Sequence, residues 1–438
     1  MRNNVLEEPS SANDAASGDM RPILVVFSHL RWGFVYQRPQ HLMSRAARDH
    51  RVYFIEEPWF HGDGPLPRLD LYPQPSGVTI AVPVLPYGLS ETDVVEAQRR
   101  LLDELLAGHA GTSRIFWYYT PMALASSDHL EPDLCVYDCM DELSGFWFAP
   151  PELRRLEAAL FDRADLVFTG GQSLYEAKRH RHPDVHAFPS SIDAVHFGRA
   201  RWPVDGEPAD QAALLRPRIG FFGVIDERMD MELAARLAEL RPDWQLVMIG
   251  PTVKIDPAAC PAHPNIHWLG GKSYDELPAY LAGWDAGFMP FALNDATRFI
   301  SPTKTLEFLA AGVPVASTPI ADVVRPYGER GLVEVARNAE EMAEALDRVM
   351  TRPRTVWLAE VDAWLSGTSW DRTWDAMHAL MRRSGAQPIG DAALPEAVAL
   401  AAAPSGEMPR AATPRGTRSR APTARAKAPR AVPGALRV

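Results

Sequence analysis

Two series of short apolar runs, separated by stretches with helical spacing, leave few folds open to this chain. In the first, residues 23–27, 51–55, 114–117, 134–137 and 166–169 read as strands, and 39–48, 90–107, 151–163 and 172–181 as helices. In the second, strands are expected at 218–222, 246–249, 266–269, 286–290 and 313–316. Met229, Leu233, Leu237 and Leu240 line one face of a helix there, and further helices fall near 274–282 and 302–311. Continuously apolar strands alternating with helices call for parallel sheets covered on both faces. Between the series, residues 189–216 lose periodicity and accumulate Pro, Gly, Asp and Ala, which marks a connection. The 438 residues also exceed a single core. The expected architecture is α/β with two doubly wound domains, at 21–195 and 196–353. Residues 1–20 read as a disordered leader. Residues 354–385, with Trp357, Trp364, Trp370 and Trp374, read as helices bridging the domains, their tryptophans in packing roles. Residues 386–438 form an Ala/Pro/Arg tail that cannot build a core.

Charge narrows the function. From Met408 onward there are eight basic residues and no acidic ones, so residues 1–407 carry −19 of the net −11. A body that acidic is not a nucleic-acid binder. The tail reads as a solubilising extension, with docking on anionic lipid as its rival. Cys135, Cys139 and Cys260 form no CxxC and no disulfide framework, which points to a reducing cytoplasm. No secretory leader and no apolar span of about 18 residues is present, so any membrane contact is expected to be peripheral, at the inner face.

The most informative segment is Ser301-Pro302-Thr303-Lys304-Thr305-Leu306-Glu307, continuing through Phe308-Leu309-Ala310-Ala311-Gly312-Val313-Pro314-Val315. Ser301 suits an N-cap, Pro302 the first helical position and Gly312 the stop. Lys304 falls in the first turn, where the macrodipole disfavours a cation by about 0.3–1 kcal/mol. An anion between that ammonium and the free N–H groups would reverse the penalty. Glu307, one turn on, shares the face and can accept hydrogen bonds from sugar hydroxyls. A solvated Lys–Glu surface pair is the plain rival.

Neither G-x-G-x-x-G nor G-x-x-x-x-G-K-[ST] occurs, nor a G-x-S-x-G elbow or H-E-x-x-H. After the strand at 218–222, Gly223 lets a ligand approach the backbone, and Asp226 and Arg228 follow; a capped helix start is equally consistent. After the first strand come Ser28, His29, Arg31, Trp32, Arg38 and His41, placed to face a cleft or to pack. Asp138 and Asp141 can bind hydroxyls or cap the following turn. Phe146, Trp147 and Phe148 could greet a lipid-linked acceptor, though burial in the interdomain core is the stronger expectation.

The runs Asn265-Ile266-His267-Trp268-Leu269-Gly270, Tyr274-Asp275-Glu276-Leu277-Pro278 and Asp285-Ala286-Gly287-Phe288-Met289-Pro290-Phe291, with Asn294, Thr297 and Ser301 through Val315, resemble the donor domain of retaining glycosyltransferases of the GT-B fold. These enzymes make cell-surface polysaccharides. Trp32-Gly33-Phe34-Val35-Tyr36-Gln37-Arg38-Pro39-Gln40-His41-Leu42, Tyr137-Asp138-Cys139-Met140-Asp141-Glu142 and Arg163-Ala164-Asp165-Leu166-Val167-Phe168-Thr169 are similar to their teichuronic-acid-type branch. The likeness spans about residues 21–385.

It implies two Rossmann-like domains facing across a cleft, and transfer of a sugar from a nucleotide-diphosphate donor (a UDP-sugar favoured) to a saccharide or lipid-linked acceptor, with retention. Glu307, Lys304 and Arg228 would act on the donor. Gly223, Asp226, Gly270, Asn294, Thr297, Ser301, Pro302, Thr303 and Thr305 would bind it. His29, Arg31, Trp32, Arg38, His41, Asp138 and Asp141 would face the acceptor. No metal and no cofactor is expected, because a helix N-terminus and basic side chains meet the diphosphate. Phe299 stands where many relatives carry a second glutamate. No lysine follows Arg228 before Lys254, so Lys304 is expected to supply that charge. The alternatives are a nucleotide-sugar epimerase of the same fold and a degenerate, non-catalytic nucleotide-sugar-binding scaffold.

Overall fold

The computed structural model describes residues 21–62, 66–202 and 206–385, and the expectations for the leader and the tail lie outside them. The first half builds a nine-stranded sheet from β1 (Ile23–Phe27), β2 (Arg51–Ile55), β3 (Trp59–His61), β4 (Arg68–Pro73), β5 (Val78–Pro86), β6 (Arg114–Tyr118), β7 (Leu134–Cys139), β8 (Leu166–Thr169) and β9 (Val185–Ala187). Its order is β3-β5-β2-β1-β6-β7-β8-β9, with β4 antiparallel on β5 and the other pairings parallel. The second half builds a six-stranded parallel sheet from β10 (Arg218–Phe222), β11 (Gln245–Ile249), β12 (Ile266–Gly270), β13 (Ala286–Met289), β14 (Val315–Ser317) and β15 (Glu334–Val335), in the order β12-β11-β10-β13-β14-β15.

The burial follows from strand geometry. Successive side chains leave a strand on opposite faces. In β1, Ile23, Val25 and Phe27 therefore enter one core while Leu24 and Val26 enter the other. In β11, Leu246 and Met248 face one side, and Val247 and Ile249 the other. Helices cover both faces, which is why these strands read as unbroken apolar runs.

The strands at 59–86 were not legible in sequence, because Pro73, Pro83 and Pro86 interrupt the pattern. The expected strand at 313–316 sits slightly later, as β14. The last two helices divide their loyalties. Arg354–Leu365 inserts Trp357, Val361 and Leu365 into the second half's core. Trp370–Ser384 returns to the first half and packs Trp370, Trp374, Met377 and Met381 against Leu24, Val26 and Phe54. Each tryptophan of this set is buried or half-buried, in keeping with a packing role.

Candidate functional site

The second sheet runs β10-β11-β12 in one direction and β13-β14-β15 in the other. Open α/β sheets bind ligands at such a reversal, outside the carboxyl ends of the strands. There Gly223 (φ 142°) follows β10 and Gly250 (φ 150°) follows β11. A Cβ on Gly250 would overlap the Gly223 carbonyl oxygen, so the two loops touch only because neither carries a side chain. Gly270 (φ 69°) ends β12, exposed, and its carbonyl accepts from Gly250 N–H at 2.9 Å.

Beside this crevice lies the helix Thr303–Ala311. It starts one residue later than Ser301 capping would have it. Pro302 is the N-cap and no side chain caps the end, so the first-turn N–H groups keep no side-chain partner. Ser301 serves instead through its carbonyl, which accepts from Ser190 Oγ at 2.7 Å, and Thr303 Oγ1 lies 3.3 Å from that same hydroxyl. Thr305 is fully buried, its hydroxyl 3.7 Å from Met289 Sδ, and belongs to the core. Gly312 closes the helix in the left-handed region, as expected.

Lys304 lies over the Phe222 ring at 5.0 Å, and a Cβ on Gly223 would sit 3.1 Å from its Cε. Its ammonium is 3.2 Å from Glu307 Oε2. Glu307 is only 4% exposed, yet Oε2 makes no aligned hydrogen bond. The buried Tyr274 hydroxyl is also without a partner; burial and then the Glu307 carboxylate raise its pKa. Buried polar atoms are nearly always satisfied. Two unsatisfied ones beside a cation and a free helix N-terminus mark a place for polar ligand atoms. Tyr274 was missed at the sequence level, since nothing in its local pattern distinguishes it from a packing residue.

Arg228 is not free. Asp226, itself buried, grips it with Nε–Oδ1 at 2.9 Å and Nη2–Oδ2 at 2.7 Å. Asn294 and Thr297 hold a turn together: Thr297 N–H donates to Asn294 Oδ1 at 3.1 Å, and Asn294 Nδ2 donates to the Glu227 carbonyl at 3.0 Å. These residues shape the wall of the crevice rather than offering it open donors.

The first half meets this wall through residues 141–150. A Cβ on Gly145 would lie 2.6 Å from the Asp295 carbonyl oxygen, so only glycine fits the seam. Phe146 carries Arg228 and Lys254 over its ring, each at 5.6 Å. Trp147 and Phe148 are 66% and 61% exposed, which overturns the expected burial; of the three aromatics, Phe146 alone is held between cations. A largely apolar pocket between the halves is lined by His29, Asp141, Phe146, Asp226, Arg228 and Lys254 among others. Burial, and then Lys254, lowers the His29 pKa to about 4, so its imidazole is neutral at physiological pH, with Nδ1 unpartnered. Burial pushes Asp141 up to about 6 against the pull of Arg228.

The other residues expected on this side turn inward. Arg38 and Asp138 form a buried bidentate pair, Nε–Oδ2 at 3.0 Å and Nη2–Oδ1 at 2.9 Å, and Arg38 Nη1 donates to the Phe188 carbonyl at 2.7 Å. His41 stacks on Trp370 at 4.6 Å. Arg31 is bound by Glu56 at 3.0 Å and lies over Trp59, while Trp32 N–H donates to Glu56 Oε1 at 2.8 Å. Among the described residues no group of three or more His, Cys, Asp or Glu is placed to hold a metal ion, and no helix is long and apolar enough to cross a membrane.

Comparison with known proteins places these features. Residues 216–352 match the family model of Glycosyl transferases group 1. The chain is 27% identical over 255 residues to the putative teichuronic acid biosynthesis glycosyltransferase TuaH of Bacillus subtilis, covering 52% of this chain and 62% of that one. Among solved structures, sucrose-phosphate synthase of Thermosynechococcus elongatus superposes with a TM-score of 0.60 at 14% identity, over 83% of this chain and 99% of that one. The Anabaena HepE protein, crystallised with UDP and glucose, gives 0.55 at 12% identity, over 82% and 99%. The fold is GT-B, and the likeness to glycosyltransferases extends from the motifs to the architecture.

Proposed function

We propose that this protein transfers a sugar from a nucleotide-diphosphate donor, a UDP-sugar in first place, to a saccharide or lipid-linked acceptor in cell-surface polysaccharide assembly. The observation that carries the reading is the buried Glu307 carboxylate, whose Oε2 has the Lys304 ammonium at 3.2 Å but no aligned hydrogen bond, beside an uncapped helix N-terminus. Glu307 accepts from the donor's ribose hydroxyls. Lys304 and the first-turn N–H groups face the leaving diphosphate, where the helix dipole favours negative charge. Preorganised charge of this kind stabilises the developing anion without reorganisation. The acceptor enters the pocket from the first half. The neutral His29 imidazole and the Asp141 carboxylate lie there to orient a hydroxyl, and most of the rate comes from holding that oxygen against the donor. Asp226 neutralises Arg228 in this arrangement, so Arg228 shapes the pocket more than it meets phosphate.

Support for the donor class comes from the match to Glycosyl transferases group 1 and from the UDP and glucose in HepE; support for the polysaccharide context comes from TuaH. Retention of anomeric configuration rests on the motif resemblance. The exposed Trp147 and Phe148, next to pocket-lining Phe146, favour a lipid-linked acceptor at the inner membrane face. The test is calorimetry with UDP, GDP and their sugar conjugates on the wild type, Glu307→Ala and Lys304→Ala. One nucleotide binding at micromolar Kd, weakened in both variants, supports the reading; binding indifferent to both substitutions removes it. The anomeric proton coupling of the product decides retention.

A further inference from the structure

The three cations at the crevice are in different states. Lys304 is committed to Glu307 at 3.2 Å, and Arg228 to Asp226 at 2.7 Å. Lys254 lines the same pocket and makes no hydrogen bond or ion pair with any described residue; its ammonium lies only over the Phe146 ring, 5.6 Å from the centroid. Its backbone is the one non-glycine with positive φ among the described residues, at 60°. A lysine has a Cβ penalty there, and such positions concentrate where a side chain must be aimed. The loop after β11 holds it at the carboxyl end of a strand next to the sheet's reversal, where ligands bind. Across the pocket, Lys254 depresses the His29 pKa and opposes the upward shift of Glu57, so its charge is felt in the first half.

We infer that Lys254 is a phosphate-binding residue of the cleft: its unpaired ammonium receives a phosphoryl oxygen of the ligand in the pocket it shares with Arg228 and His29. The inference rests on the proposed nucleotide-sugar reading and adds to it a residue that lies 26 positions from Arg228 in sequence and on the same ring in space. An ammonium is a point charge on a flexible stem, suited to a phosphate whose position changes between bound substrate and departing product. The phosphoryl group belongs either to the donor diphosphate or to a phosphorylated acceptor, and binding experiments separate the two.

The full-length protein is titrated with UDP, GDP and ADP, and with the matching nucleosides, as wild type, Lys254→Met, Lys254→Arg and Lys254→Gly. Glycine suits the left-handed backbone, so Lys254→Gly keeps the loop while removing the charge; unchanged melting temperatures verify folding. The expected result is at least a tenfold loss of affinity for the preferred diphosphate in Lys254→Met and Lys254→Gly, no change for the nucleoside, and recovery in Lys254→Arg. If diphosphate affinity is unchanged but the nucleotide-loaded variants lose tenfold in affinity for glucose 6-phosphate, the phosphate is the acceptor's and the assignment stands. If neither ligand is affected while Glu307→Ala loses nucleotide binding, Lys254 is not a phosphate residue and the donor reading survives. If the wild type binds no nucleotide, or Glu307→Ala binds as well as wild type, the reading itself fails and the inference falls with it.

Discussion

The two halves of the molecule differ in how far they complete the hydrogen bonds of buried charges at the carboxyl ends of their sheets. In the first half, Arg38 and Asp138 satisfy one another, Arg31 is bound by Glu56, and Lys178 bridges Glu142 and Glu157 at 2.7 and 2.8 Å. In the second, Asp226 holds Arg228 in the same way, but Glu307 Oε2 (ion-paired with Lys304 at 3.2 Å), the Tyr274 hydroxyl and both carboxylate oxygens of Glu227 are buried without hydrogen-bond partners. A strand end supplies the same kind of position in both. What separates a strut from a binding group is whether the protein itself completes the hydrogen bonds. The first kind should be costly to remove and silent in binding; the second should be the reverse.

The largest effect expected is from Arg38→Met, which leaves the fully buried Asp138 without its counter-charge. Breaking one side of such a pair costs about 3–5 kcal/mol. Urea unfolding should show a loss of that size, and adding Asp138→Asn should recover much of it, while nucleotide affinity of the folded protein stays within about twofold of wild type. A clear loss of nucleotide affinity in Arg38→Met would break the comparison. Glu307→Ala is its counterpart. Removing a charged hydrogen-bond acceptor should cost about 1.5–3 kcal/mol of binding, about 10- to 100-fold in Kd by calorimetry, with little change in melting temperature.

Asp141 stands between the two classes. Its carboxyl titrates near 3.8 when unfolded and near 6 when folded. Across that window the unfolded chain binds fewer protons than the native one, so stability falls as pH rises from about 4 to about 6 and is flat above. Asp141→Asn should abolish this slope and gain about 1–3 kcal/mol near neutral pH in denaturant titrations. If ionised Asp141 orients the acceptor, turnover should rise through a limb centred near pH 6, absent in the variant. The smallest effect is expected from replacing both Trp147 and Phe148 with serine. Exposed side chains of this kind leave stability within about 0.5 kcal/mol. Co-sedimentation with anionic vesicles then sharpens the picture, since a lipid-facing role predicts that only membrane binding is lost.

What sequence could reveal divides along the same line. The alternation of apolar runs was enough for two parallel sheets, because strands buried on both faces leave no polar interruption. The helix at Thr303 was legible through Gly312, Lys304 and Glu307, residues whose spacing acts within one or two turns. Arg38 and Asp138 were visible as charges at strand and helix ends, but their partnership spans 100 residues and no local pattern encodes it. Lys254 and Tyr274 were passed over for the same reason: their meaning lies in neighbours absent (for the lysine ammonium and the tyrosine hydroxyl), and an absence has no sequence signature. The proline-broken strands of residues 59–86 failed differently: Pro73 lies on the edge strand β4, but Pro83 and Pro86 lie on β5, which is paired on both sides, and pairings that accommodate proline there are a property of the assembled sheet.

The return of helix Trp370–Ser384 to the first half has a consequence for synthesis. Trp370, Trp374, Met377 and Met381 form one wall of the core that also holds Leu24, Val26 and Phe54. As the chain leaves the ribosome, that wall is missing until nearly 200 further residues have been made after β9. At about 5–20 residues per second the first half waits about 10–40 s with an apolar face open. Its partner in that interval is whatever chaperone or nascent segment covers the face. The growing chain therefore keeps that face open even after the last residues of the crevice, through Ala311, have been made.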